Sequence, residues 1–235
     1  MAYTAQELID EVKIRCGRTG DAETVTDARV LQWLNDAQEV ICENVPGLPA
    51  LQMKNTTSVD TTQVLQYALS EWTSPLDDVT TESRICQIWG LYYVNGSESQ
   101  AIQFMSNPRF DAYRIDPTHS DFGFGMPEYW TRRGGYIEMV PLSACDYCDQ
   151  DLRLDGQVYP PDFTTGSTES SALDRADEGL ILYATAQAWS IIGGATGDVQ
   201  HGVYLQKFSR WLEDYRFQSN NWREWDLNIY GLEAE

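Results

Sequence analysis

Cys145 and Cys148 stand in the run Cys145-Asp146-Tyr147-Cys148, which has the spacing of half a zinc site. A structural zinc takes four ligands. The chain offers no second such pair, and its two histidines, His119 and His201, are isolated. A redox role requires this motif at the start of a helix that follows a strand. Here it lies in an acid-rich turn, where a thiolate is disfavoured. Next to it, Asp146, Asp149, Asp151 and Asp155 form the densest acid cluster. Grouped carboxylates bind calcium or divide acid and base work between them. Their spacing misses the calcium-loop pattern and no base partner accompanies them, so a solvated turn between strands accounts for them. The chain has no phosphate loop, no dinucleotide-binding glycine pattern, no zinc-protease helix and no nucleophile elbow. Phe122-Gly123-Phe124-Gly125 follows no strand and reads as a loop, and His201 reads as a residue of a glycine-flanked turn. The expectation is a protein without catalytic residues, cofactor or metal, and not an enzyme.

Composition points the same way. The chain has 235 residues and a net charge of −20, with acids spread along its whole length. Proteins that grip nucleic-acid phosphates supply clustered Lys and Arg, and the one adjacent basic pair here is Arg132-Arg133. A surface this acidic stays soluble, and it can lie near DNA without adhering to it. No apolar run is long enough to cross a bilayer, and the acidic start MAYTAQELIDEVK lacks a secretory core. Five cysteines exclude a fully paired disulfide framework and fit a reducing cytoplasm. Of the 16 basic residues 13 are Arg, and the 8 Trp, 13 Tyr and 7 Phe are many. Interfaces are rich in Trp, Tyr and Arg and poor in Lys.

The elements that position these residues can be read from their periodicity. Thr4 with Glu7 fits a capping box opening a first helix, whose Leu8, Ile9, Val12 and Cys16 share a face. A second helix starts near Thr26 or Asp27, repeats Leu31, Leu34, Ala37 or Gln38, Ile41 and Val45, and stops at Pro46-Gly47. After Pro49, β-branched and aromatic residues gather in short runs. Strands are expected at Gln63–Leu69, Arg84–Val94, Tyr136–Val140 and Leu152–Val158, with turn dipeptides at Asn95-Gly96, Gly134-Gly135 and Asp155-Gly156. Asn107–Gly125 shows little periodicity and is expected to be a long ordered loop. Helix returns after the polar stretch Thr164–Ser171, with Ser171 as cap and Asp174 at the box position. This helix is apolar on most sides, as a central helix would be. After Gly193-Gly194 and Gly197 another helix carries Tyr204, Leu205, Phe208, Leu212 and Tyr215.

In the final stretch, polar residues separate Trp222, Trp225, Leu227, Ile229, Tyr230 and Leu232. It is too apolar for a solvated tail and too short to form a core, so it must dock. Its partner-binding residues are expected to be Trp222, Arg223, Trp225, Leu227, Ile229, Tyr230 and Leu232, with the rings as anchors and Arg223 forking onto a carboxylate. The expected fold is α+β: a helical bundle made by N- and C-terminal helices, an inserted antiparallel β domain and an extended C-terminal tail. The expected divisions are residues 1–49, 50–165, 166–216 and 217–235.

Leu31-Gln32-Trp33-Leu34-Asn35-Asp36-Ala37-Gln38-Glu39 resembles the "L-N-x-A-Q" second helix of tailed-bacteriophage head-to-tail adaptor (connector) proteins. Met126-Pro127-Glu128-Tyr129-Trp130, followed by Gly135 to Pro141, is similar to that family's "P-x-x-Y" and the strand after it. Leu152-Arg153-Leu154-Asp155 and Tyr159-Pro160-Pro161-Asp162-Phe163 resemble its next strand and its exit toward the last helices. The resemblance covers about residues 1–216, and 95–125 match none of the family's motifs. It implies a non-catalytic virion structural protein, made in the host bacterial cytoplasm and sited at the head–tail junction. Twelve copies would form a homo-oligomeric ring beneath the portal protein. The ring would extend the DNA channel, pass genomic DNA without specific binding, and offer a platform to tail or nozzle proteins, with no membrane involved. A carbohydrate- or receptor-binding tail protein, stacking sugars on the aromatic β segment, is the alternative.

Overall fold

A computed structural model describes residues 3–20, 23–48, 51–58, 66–69, 85–95, 98–115, 124–140, 142–143, 151–164 and 170–229, with the side chains of 52–58, 66, 95, 98, 113–115, 124–125, 142–143 and 220–229 left out of the description. The chain is α+β and divides into two compact units, one of residues 1–51 with 159–235 and one of 52–158.

The first unit is helical: α1 (Ala5–Arg15), α2 (Asp27–Asn44), α4 (Asp177–Ile192) and α5 (Gly194–Ile229). The capping box of α1 is present. Thr4 Oγ accepts the Glu7 N–H at 3.3 Å, and the Glu7 carboxylate accepts the Thr4 N–H at 2.8 Å. The Thr4 N–H and then the Thr4 hydroxyl, both donating to it, hold the Glu7 carboxyl below its ordinary pKa. Thr26 caps α2 by accepting the Arg29 N–H. Leu8, Ile9, Val12 and Cys16 are buried, as are Leu31, Leu34, Ala37, Gln38, Ile41 and Val45. The helix α4 packs against α1, α2 and α5, and its buried residues Leu180, Ile181, Leu182, Ala184, Thr185, Ala186 and Ala188 surround the cylinder. It starts at Asp177, not at Ser171. Ala176 is its N-cap without a side-chain bond, and Ser171 is drawn off into the contact with Gln38 described below.

The C-terminal stretch is also corrected: it is not extended, since α5 is one helix of 36 residues reaching Ile229. The positions 197, 201, 204, 208, 211 and 215, and after a step of seven 222, 225 and 229, follow a spacing of three and four, a helix period that persists through the tail. His201 accordingly lies within α5, its Nδ1 2.8 Å from the Ala186 carbonyl, and not in a turn.

The second unit carries a seven-stranded sheet, ordered β1 (Gln52–Ser58), β9 (Asp151–Val158), β3 (Ile85–Asn95), β4 (Glu98–Phe104), β6 (Tyr129–Arg133), β7 (Tyr136–Val140), β2 (Gln66–Ala68). Two more short strands, β5 (Phe124–Gly125) and β8 (Leu142–Ser143), pair with each other. The Gly134-Gly135 hairpin joins β6 to β7 as its sequence indicates, Gly134 at φ +57°. Gly96 lies outside the described residues.

The sheet is mixed, not antiparallel, because β4 and β6 run parallel. Parallel neighbours need a crossover. It is supplied by α3 (Asn107–Ile115), where sequence patterning indicated a loop. Phe110 of α3 is fully buried with Met105 and Val140. Asn107 accepts the Thr131 hydroxyl at 2.6 Å, and Asp111, one turn on, pairs with Arg133. Arg133 also lies 3.0 Å from the buried carboxylate of Glu138.

The strands β1 and β2 hold opposite edges of this sheet, yet only residues 59–65 connect them. Six interstrand gaps in a flat sheet span about 29 Å, and eight Cα steps reach about 26–29 Å at full extension. A flat sheet would stretch that link to its limit, and the right-handed twist that sheets adopt relieves it.

Asp155-Gly156 is not a turn; β9 runs straight through it, paired with β1 and β3. The strand β3 bulges between Ile88 and Gly90, opposite Gly156. A Cβ on Gly156 would lie 2.4 Å from the Gln87 carbonyl oxygen. This glycine serves close backbone approach in a strand. Gly156→Ala is expected to lower stability by about 1–3 kcal/mol, as overpacking does, read as a lower urea midpoint. An unchanged midpoint would show that β3 yields freely there.

Candidate assembly interface

Asn35 and Gln38 are three residues apart on α2 and face the returning chain. Asn35 Nδ2 donates to the Phe163 carbonyl at 3.3 Å, and its Oδ1 accepts the Phe163 N–H at 2.9 Å. Gln38 Nε2 donates to the Pro161 carbonyl at 3.2 Å, and its Oε1 accepts the Ser171 hydroxyl at 2.8 Å. Ser171 Oγ in turn accepts the Leu173 N–H, and the Tyr159 hydroxyl donates to Glu43. Phe163 and Leu173 are buried under these bonds. Proline contributes no donor, so the strap Tyr159–Thr164 relies on side-chain amides for its partners.

At one end of the same unit α1 and α4 are tied together. Arg15, in the last turn of α1, forks onto Glu178, in the first turn of α4, at 2.8 and 2.9 Å. Each charge suits the helix end that carries it. The Tyr3 N–H meets Asp177 at 3.2 Å, and burial still holds the Asp177 carboxyl above its ordinary pKa.

The helices α4 and α5 form a hairpin turned at Gly193 and Gly194, both at positive φ. Its seam is aromatic. Tyr183 meets Phe208 edge-on at 5.2 Å, and Trp211 stacks between Phe208 at 6.1 Å and Tyr215 at 4.7 Å. The Trp211 ring fills the space a side chain at Gly179 would need. Burial raises the Tyr215 phenol pKa, and its hydroxyl donates to the Asp174 carbonyl, level with the start of α4. From Tyr215 the helix α5 continues 14 residues, or about 21 Å, to Ile229.

The docking residues expected from the sequence fall in that continuation. Trp222, Arg223, Trp225, Leu227 and Ile229 lie on helical backbone, with side chains outside the description; Tyr230 and Leu232 lie outside the described residues. By spacing, Trp222, Trp225 and Ile229 keep the register of Phe208, Trp211 and Tyr215. The exposed apolar residues of α5, Val199, Val203 and Phe217, were not singled out by sequence reading. Their spacing of four and then fourteen residues on one helix face was the available signal.

None of this is catalytic geometry. Among the described residues no group of His, Cys, Asp and Glu is arranged to hold a metal. No described helix is long and apolar enough to cross a membrane. Burial pushes the Cys16 thiol up to about 11, the opposite of nucleophile activation. Cys145, Cys148, Asp146, Asp149 and His119 lie outside the described residues.

Two variants test this site. Gln38→Leu leaves the Pro161 carbonyl and the Ser171 hydroxyl without their buried partner. It is expected to cost about 1–3 kcal/mol in urea unfolding and to speed amide exchange at Phe163. Asp36, beside Gln38, has its carboxyl pKa raised by burial and then by Glu39 and Asp162. A carboxyl that holds its proton more tightly when folded opposes folding once ionised. Asp36→Asn is therefore expected to raise the thermal midpoint at neutral pH, a gain that fades as pH falls through the carboxylate range. A gain that persists in acid would assign the effect to packing.

The family profile described as SU10 adaptor protein matches residues 3–226. No curated protein matches the chain significantly.

Proposed function

This chain belongs to the SU10 adaptor protein family, and we propose that it is a head-to-tail adaptor that forms a ring beneath the portal of a tailed phage. The match over residues 3–226 carries the reading, because it spans both compact units and most of α5. Membership supports reading the chain as a phage structural protein without a catalytic task. In the proposed arrangement, the helical unit forms a bundle with the β unit set into it, and twelve copies surround the DNA channel. The net charge of −20 supports that placing. Twelve copies carry −240 (12 × −20), and a channel lined with carboxylates lets a phosphate backbone slide and not bind. The same repulsion opposes spontaneous ring closure, so the portal acts as the template. The end of α5, with Trp222, Arg223, Trp225, Leu227 and Ile229, and the following Tyr230 and Leu232, is the segment that grips the portal. Through Ile229 it does so on a helical backbone, with Trp222, Trp225 and Ile229 at helix-periodic positions.

Truncation tests this. Ser219 is buried, so the cut is placed after it. Removing residues 220–235 is expected to move the thermal midpoint by less than about 2 °C and to abolish co-sedimentation with the portal. A large fall in midpoint with portal binding kept would return the segment to the protein's own core.

A further inference from the structure

We draw no further inference here: the strongest candidate, the exposed apolar face of α5 formed by Val199, Val203 and Phe217, carries nothing because nothing in the structure shows what covers it.

Discussion

The buried amide of Gln38 joins stretches of chain that lie 123 and 133 positions away in sequence. The chain leaves the helical unit after Leu51 and rejoins it at Tyr159. Closing so long an excursion costs entropy that grows only slowly with length, but the point of return must still be specified. Asn35 and Gln38 do this with directional bonds to the carbonyls of Pro161 and Phe163, the N–H of Phe163 and the hydroxyl of Ser171. A buried amide left without partners is costly. The bonds therefore define one register for the strap, and that register places Phe163 and Leu173 in the core and leads into α4. The "L-N-x-A-Q" pattern has its physical meaning here: the apolar members pack, and the two amides hold the strap.

In the β unit, α3 has a comparable role. It bridges the parallel pair β4 and β6. Phe110 provides the apolar anchor, and Asn107 and Asp111 reach Thr131 and Arg133 on β6. Burying Glu138 beside Arg133 adds orientation more than stability, since desolvation offsets most of the attraction in such a pair. The bulge of β3 over Gly156 adds the local twist that helps a wide sheet curl.

The helix α5 serves two demands at once. One face is committed to α4 through the Phe208, Trp211 and Tyr215 ladder, with Gly179 admitting the Trp211 ring. The opposite face keeps valines and a phenylalanine in water. Where burial acts on a described cysteine thiol, it works against reactivity. Cys16 illustrates it, a thiol whose burial moves it away from reactivity.

Local physics was enough to place several elements from sequence. The Thr4–Glu7 box, the Thr26 cap, the buried faces of α1 and α2, and the Gly134-Gly135 hairpin depend on neighbours within four residues, and a short window contains all of these. The tail's helix is legible too, in the steps of seven, three and four from Tyr215 to Trp222, Trp225 and Ile229, although its alternating polar residues favour an extended reading. Tertiary structure alone decided the rest. Asp155-Gly156 has the composition of a turn, and only the bulge of β3 on the neighbouring strand explains a glycine within β9. Among its described side chains Asn107–Ile115 has one buried anchor, Phe110, and little periodicity, so its helix depends on the sheet beneath it, and with it the parallel pairing. Ser171 looked like a helix cap until Gln38 claimed its hydroxyl and α4 began later. In each case the deciding partner lies far away in sequence, and a hydrogen bond or a close contact with a distant residue outweighed a local preference worth about 1 kcal/mol.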